Sequence, residues 1–303
     1  MDDDSLEAFA EGLSFTEPEQ PKAIEPTPFL KWVGGKTKLL PALFDLFPKK
    51  VRRYYEPFLG GGAVFWSLAR AKHFEAARLN DWNDELVTTY RVVRDFPEDL
   101  IVKLREMARC YSVSPEATFK AWQKPGVPLG PIERAARFVF LNKTAFNGLY
   151  RLNQEGEFNT SWGKYENPAI CNDPLLRGCS MALNQLVTLT QGDFVDACKD
   201  AMEGDLVYLD PPYVPMSDTA NFTGYTEKGF SRDDQYRVVA LFKELYERGV
   251  AVIVSNSDMP EVRANFTGFE MHSVPMRRNI SSKGDGRGPV SELVVVSRRA
   301  SAR

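Results

Sequence analysis

The chain predicts an α/β fold, one sheet interrupted by a mostly helical insertion, and three observations carry that reading. Short apolar runs rich in branched and aromatic residues alternate with helical spacing up to about residue 96. From 97 to about 179 the alternation stops, giving way to helical patches and a polar stretch punctuated by glycine. Beyond it the strand and helix alternation resumes and runs to about residue 297.

The elements follow in order. Residues 1–28 hold eight acids, one base and four prolines, a net charge of −7 that suits a disordered acidic tail. Residues 38–47 have helical spacing. A strand entering at Tyr54-Tyr55 runs into Gly60-Gly61-Gly62, a helix covers 63–71, and a second strand covers 76–80. The insertion has helical patches at 98–109 and 132–143, then a polar segment from 147 to 167. Strands return at 186–190 and 205–210, followed by a helix over 233–248 and strands at 250–255, 269–274 and 293–297. No internal repeat is visible. The domain reading is therefore a tail at 1–28, one sheet domain from 29–96 and 181–303, and an inserted module at 97–180 with a hairpin at about 147–167.

At 303 residues the chain can bury a large core. No run of 18 or more apolar residues predicts a membrane span, and the acidic start lacks a secretory pattern, so a cytoplasmic protein is expected. The net charge of −3 conceals a division: outside the tail, 33 acids face 37 bases, a net of +4. A mildly basic body permits a phosphate-binding face without requiring one. Cys110, Cys171, Cys179 and Cys198 form no C-x-x-C pair, and only His73 and His272 could assist them, so reduced, mostly buried thiols are expected and no metal site.

Asp210-Pro211-Pro212-Tyr213 is the strongest motif. It follows the apolar strand at once, and two prolines, which cannot donate to a ladder, end that strand. An acid, a carbonyl and an aromatic ring are thus presented at the carboxyl edge of a sheet, where open α/β folds bind ligands. A carboxylate and a carbonyl accept hydrogen bonds from an exocyclic amine, and Tyr213 can stack on a flat ring. That equipment suits methylation of a nucleobase amino group. On the tetrapeptide alone, a proline-rich strand exit with an incidental acid fits equally well.

The glycine turn supplies the second motif. Asp81 stands 21 residues after Gly60, the spacing at which an acid meets the ribose of a nucleotide-like cofactor. Gly60-Gly61-Gly62 lacks the G-x-G-x-x-G spacing, which argues against nicotinamide. Gly35-Lys36-Thr37 imitates the end of a phosphate-binding loop, but Leu30 stands where that loop needs its first glycine and no strand precedes it, so a nucleotide triphosphatase is rejected.

Taken together, these residues resemble the Dam-like DNA adenine-N6 methyltransferases of the α-group. The matching segments span about 29–296: Phe29-Leu30-Lys31-Trp32-Val33-Gly34-Gly35-Lys36, Glu56-Pro57-Phe58-Leu59-Gly60-Gly61-Gly62, Asn80-Asp81-Trp82-Asn83, Asn147-Gly148-Leu149-Tyr150-Arg151, Gly156-Glu157-Phe158-Asn159, Gly192-Asp193-Phe194, the Asp210 tetrapeptide, Asn221-Phe222-Thr223-Gly224-Tyr225 and Arg278-Asn279-Ile280-Ser281-Ser282. The resemblance implies a Rossmann-like methyltransferase sheet with an inserted DNA-recognition domain. It implies S-adenosyl-L-methionine as cofactor, held by Trp32, Lys36, Glu56, Phe58, Gly60, Asp81, Asp193, Phe194 and Asp210. Asp210, Pro211, Pro212 and Tyr213 would be catalytic, acting on an adenine flipped out of duplex DNA.

The segment 142–151 resembles the family's recognition hairpin, which implies Arg151 as a guanine reader, Leu149 and Tyr165 against neighbouring bases, and Phe146 wedged where the adenine has left. Phe146 replaces the tyrosine usual there, and Lys143-Thr144-Ala145 also departs from the family pattern. Lys31, Asn147 and Arg278 complete the implied DNA set, and GATC is the implied site. The partner is duplex DNA, with a restriction endonuclease as a conceivable companion; neither membrane nor metal is implied, and a monomer is expected. Cytosine-C5 chemistry is excluded because no cysteine follows a proline. Cytosine-N4 enzymes carry Ser at the Asp210 position, and amino methylation of RNA or protein glutamine often uses Asn there. A non-catalytic DNA-binding regulator of the same fold, or an amino-methyltransferase of another sequence or of RNA, remains the alternative.

Overall fold

The computed structural model describes residues 24–213, 230–276 and 290–299. Seven strands form one sheet: β1 (Val51–Glu56), β2 (Phe74–Asp81), β3 (Val187–Gln191), β4 (Leu206–Leu209), β5 (Ala251–Ser257), β6 (Phe269–Met276) and β7 (Val290–Arg299). Their spatial order is β3-β2-β1-β4-β5-β7-β6. The first five are parallel, and β7 lies antiparallel between β5 and β6. The order reverses between β1 and β4, which makes the gap beyond their carboxyl ends the switch point where such sheets hold ligands.

Ten α-helices accompany the sheet among the described residues. They are α1 (Leu40–Leu46), α2 (Ala63–Arg70), α3 (Asp84–Asp95), α4 (Pro97–Val113), α5 (Pro115–Gln123), α6 (Pro131–Thr144), α7 (Asp173–Leu183), α8 (Phe194–Ala197), α9 (Arg232–Glu247) and α10 (Pro260–Asn265). The result is the mixed α/β architecture that the alternating pattern predicts, in the Rossmann-like form that the resemblance implies. Helices α5 and α7 escape the sequence reading. Each has proline in its first turn, where the missing N–H costs no intrahelical bond, and α7 is capped by the Asn172 side chain on the Leu175 amide.

Two apolar layers cover the sheet. One, around Tyr54, Trp66 and Tyr90, continues without a break into Phe138, Phe140 and Phe158 of the insertion. The other joins Val207, Val252 and Val254 to Phe242 and Leu245 of α9. The polar segment 147–167 is a looser hairpin than its sequence suggests. It carries only the isolated bridges Ala145–Trp162 and Leu152–Phe158, because Asn147, Gly148, Gly156 and Lys164 take left-handed backbone angles that interrupt a ladder. Residues 24–28, the end of the stretch read as tail, run against α2 and α7, with the Pro26 carbonyl accepting from Arg70 at 2.7 Å and the Ile24 amide donating to the Pro174 carbonyl at 3.3 Å. Residues 1–23 lie outside the described residues.

Candidate active site

The carboxyl ends of β1, β2 and β4 open onto a cleft of about 690 Å³. Every residue named above for cofactor or catalysis lines it: Trp32, Lys36, Glu56, Phe58, Gly60, Asp81, Asp193, Phe194, Asp210, Pro211, Pro212 and Tyr213.

The glycine turn forms where β1 must hand over to α2. Gly60 (φ +49°) and Gly62 (φ +66°) adopt left-handed angles that L side chains resist. A Cβ on Gly60 would come within 2.7 Å of the Trp32 ring, so the absence of a side chain lets the indole lie on the turn. Asp81 closes the turn from β2: one oxygen accepts the Gly60 amide at 2.9 Å, the other the Asn83 amide at 3.0 Å. Burial pushes its carboxyl above the ordinary range despite those donors. Beside it, Asn80 donates to the Pro57 and Gly192 carbonyls at 3.1 and 3.0 Å, tying the exits of β1 and β3 together.

Glu56 is buried at the end of β1. Its Oε2 accepts from the Tyr54 hydroxyl at 2.8 Å and from the Phe65 amide, at the start of α2, at 3.0 Å. Burial outweighs both and raises the carboxyl to about 8. At the far side, Asp193 caps α8 through the Val195 amide at 2.9 Å and pairs with Arg237 of α9 at 2.7 Å. The Phe194 ring lies between Phe58, 4.9 Å away, and the Arg237 guanidinium at 4.8 Å. Asp193 is therefore already engaged by two donors, a fact that the motif alone does not reveal.

Asp210 stands in the cleft at the exit of β4. Its Oδ1 accepts from Ser255 of β5 at 2.8 Å and pairs with the Lys36 ammonium at 2.9 Å. Lys36 also donates to the Gly34 carbonyl at 2.7 Å and lies 4.8 Å from the Tyr213 ring centroid. Burial raises the Asp210 carboxyl, and Lys36 and Ser255 pull against it without cancelling the effect. Burial likewise lifts Glu292 of β7, which lies in the same field. Tyr208 supports Ser255 through a 2.7 Å hydroxyl contact.

The residues implied for DNA gather elsewhere, along α6 and the hairpin. Asn142, fully buried, accepts the Lys31 amide at 2.8 Å and donates to the carbonyls of Lys31 and Gly148 at 2.7 and 2.9 Å. The Lys31 ammonium lies 5.0 Å from the Tyr165 ring, and the Asn147 amide donates to the Tyr165 oxygen at 3.1 Å. Phe146 is 53% exposed, and exposed Arg151 donates to Asn159 at 2.7 Å. Leu149 is half-buried beside them. Arg278, Arg277 and the segments at 221–225 and 279–284 lie outside the described residues. The thiols vary in burial: Cys179 and Cys198 are buried, Cys171 is half-buried and Cys110 is exposed, against the expectation of mostly buried thiols. Among the described residues no cluster could hold a metal ion and no helix is long and apolar enough to cross a membrane.

Ser255, Gln235, Arg237 and Glu292 complete the site and were not singled out from the sequence. Ser255-Asn256 had a usable signal, a polar pair ending the apolar strand Val252-Ile253-Val254 at the same sheet edge as Asp210. Arg237 lines the cleft, while Gln235 and Glu292 meet Pro212 and Tyr213 of its wall; all three are placed only by the tertiary fold.

The sheet brings its glycine turn and the Asp210 loop together on one cleft at the switch point, the arrangement of an α/β enzyme. Residues 32–280 match the D12 class N6 adenine-specific DNA methyltransferase family, and the chain belongs to it. It is 40% identical over 281 residues to a type II methyltransferase of Lactococcus lactis subsp. cremoris, covering 92% of this chain and 98% of that one. A type II methyltransferase of Methanocaldococcus jannaschii is 36% identical over 291 residues, covering 90% and 100%. The DNA adenine methylase of Escherichia coli K12 is 32% identical over 268 residues, covering 88% and 94%. The protein is a DNA adenine methyltransferase, and its family takes the methyl group from S-adenosyl-L-methionine.

Proposed function

We propose that the protein methylates N6 of adenine in GATC, within duplex DNA, on a base flipped out of the stack. The observation that carries the reading is Asp210 at the exit of β4, its carboxylate already meeting a nitrogen donor, Lys36, beside the Tyr213 ring. A target amine would join that donor: N6 donates to the Asp210 carboxylate and to the Pro211 carbonyl while Tyr213 stacks on the purine. Both acceptors draw the amine lone pair towards the methyl group. Ser255 and Lys36 both meet Oδ1, so the amine is received at Oδ2 while Lys36 stays between Asp210 and the Gly34 carbonyl.

The cleft suits S-adenosyl-L-methionine. Gly60 and Asp81 offer a turn and an acid for the ribose; Phe58, Asp193 and Phe194 offer rings and a carboxylate for the adenine; Trp32, Lys36 and Glu56 border the remainder. When bound, the cofactor supplies a methyl group on a cationic sulfur. The chain supplies positioning and fixed charge. No separate base is assigned, and the amine proton passes to water after transfer.

On the inserted module, Arg151 reads a guanine through its O6/N7 edge, Leu149 and Tyr165 contact neighbouring bases, Phe146 fills the vacated space, and Lys31, Asn147 and Arg278 hold the strand. The exposure of Phe146 and Arg151 supports this, since both are available to a partner. The test is methyl incorporation from labelled S-adenosyl-L-methionine into duplexes carrying one GATC or one GTTC. Label on GATC alone is expected. Equal label on both duplexes contradicts the assigned site, and no label on either or on mixed-sequence DNA contradicts the reading altogether.

A further inference from the structure

The loop after β4 has an unusual anchoring problem. Pro211 and Pro212 carry no N–H, so neither can tie the loop down by donating a backbone hydrogen bond. Its position depends on what reaches its side chains and carbonyls. Asp210 is held by Ser255 of β5 at 2.8 Å. The Pro212 carbonyl accepts from the Gln235 side-chain Nε2 at 2.6 Å. Gln235 is in turn oriented by Asn256, whose Nδ2 donates to Gln235 Oε1 at 3.3 Å. Ser255 and Asn256 are consecutive in β5, so their side chains leave opposite faces of the sheet, and both are buried. One grips the loop directly and the other through Gln235.

Gln235 itself sits in the first turn of α9. That turn is fixed by a capping box in which the Ser231 hydroxyl accepts the Asp234 amide and the Asp234 carboxylate accepts the Ser231 amide. Arg237, two residues on, fixes the same end of the helix to Asp193. The donor that meets Pro212 is therefore mounted on a part of the helix held at three points.

We propose that Gln235 is a positioning residue for methyl transfer: by holding the Pro212 carbonyl it sets the direction of the Pro211 carbonyl and the height of the Tyr213 ring above the target base. This rests on the reading of Asp210 and its loop as the amine-binding site. Gln235 touches neither the base nor the cofactor in this role. Its loss acts on the rate of transfer and leaves binding intact.

The experiment measures single-turnover methyl transfer at saturating S-adenosyl-L-methionine and GATC duplex, with cofactor and duplex Kd alongside, for Gln235→Ala, Gln235→Glu and Asp210→Ala. Gln235→Ala is expected to slow transfer about tenfold or more, with both Kd values within about twofold of wild type. Gln235→Glu keeps the size and the acceptor for Asn256 but donates to Pro212 only when protonated. Its rate relative to wild type should therefore rise as pH falls from 8 towards 5. Both Gln235 variants keep Arg232, Asp233, Asp234, Arg237, Glu261 and Asp210, the charged groups around this position, and the wild-type rate is the reference at each pH. Normal rates in both Gln235 variants with an inactive Asp210→Ala would overturn this inference and leave the site reading standing. A pH-independent loss in Gln235→Glu matched by weaker cofactor binding would mark a merely structural role and overturn it too. Turnover in Asp210→Ala would refute the site reading on which it rests.

Discussion

At the level of single residues, the proposed function rests on Asp210 and its neighbour Lys36. A carboxylate already paired to an ammonium is poised to accept hydrogen from an amine, and its removal takes away the acceptor without touching the glycine turn. Asp210→Ala is expected to lower transfer at least a thousandfold while cofactor Kd stays within about tenfold; stopped-time incorporation and calorimetry measure the two. At the other partner, Arg151→Ala should cost about 1–3 kcal/mol of discrimination at one guanine, read as kcat/KM on duplexes differing at that base. These two residues were legible in the sequence because their motifs are contiguous. Gln235 and Glu292 were not, because a helical glutamine and a strand glutamate look like any solvated polar residue until the fold turns them inward.

Elements explain why the motifs work together. Asn142 on α6 satisfies both backbone groups of Lys31 and the carbonyl of Gly148, stitching the segment before α1 to the start of the hairpin. Truncating it leaves buried backbone groups unpaired, at about 1–3 kcal/mol each. Asn142→Ala should therefore lower the unfolding free energy by about 3 kcal/mol and weaken duplex binding as well, seen in denaturant titration and in fluorescence anisotropy. The glycine turn behaves similarly. Gly60→Ala forces a left-handed angle on a residue with a Cβ and displaces the Trp32 ring, so cofactor affinity should fall at least tenfold in calorimetry. Strand and helix boundaries were read from pattern to within a few residues, since period-2 and 3.6 spacing survive in buried elements. The exceptions are α5 and α7, which were missed, and the hairpin, whose left-handed positions at Asn147 and Lys164 leave no periodic trace.

For the whole molecule, buried acids contribute a stability that depends on pH. Glu56, Asp81 and Asp210 all have carboxyls raised by burial. An acid that holds its proton more tightly when folded favours the folded state at low pH, and that advantage fades as pH rises to the folded pKa. For Glu56 the window runs from about 4.5 to about 8. The ligand-free protein should thus lose part of its thermal stability across that interval, and Glu56→Gln should flatten the decline in Tm. The sheet class was legible because alternation persists on both sides of the insertion. The antiparallel β7 between β5 and β6 was not, since apolar spacing carries no strand direction.

The most direct test of the central claim is chemical identification of the product. Wild-type protein and Asp210→Ala are incubated with S-adenosyl-L-methionine and a duplex containing adenine targets, and the digested nucleosides are identified by mass spectrometry. N6-methyladenine from the wild type and none from Asp210→Ala is the predicted result. Methyl groups on any other base atom, or undiminished N6-methyladenine from Asp210→Ala, would contradict the account.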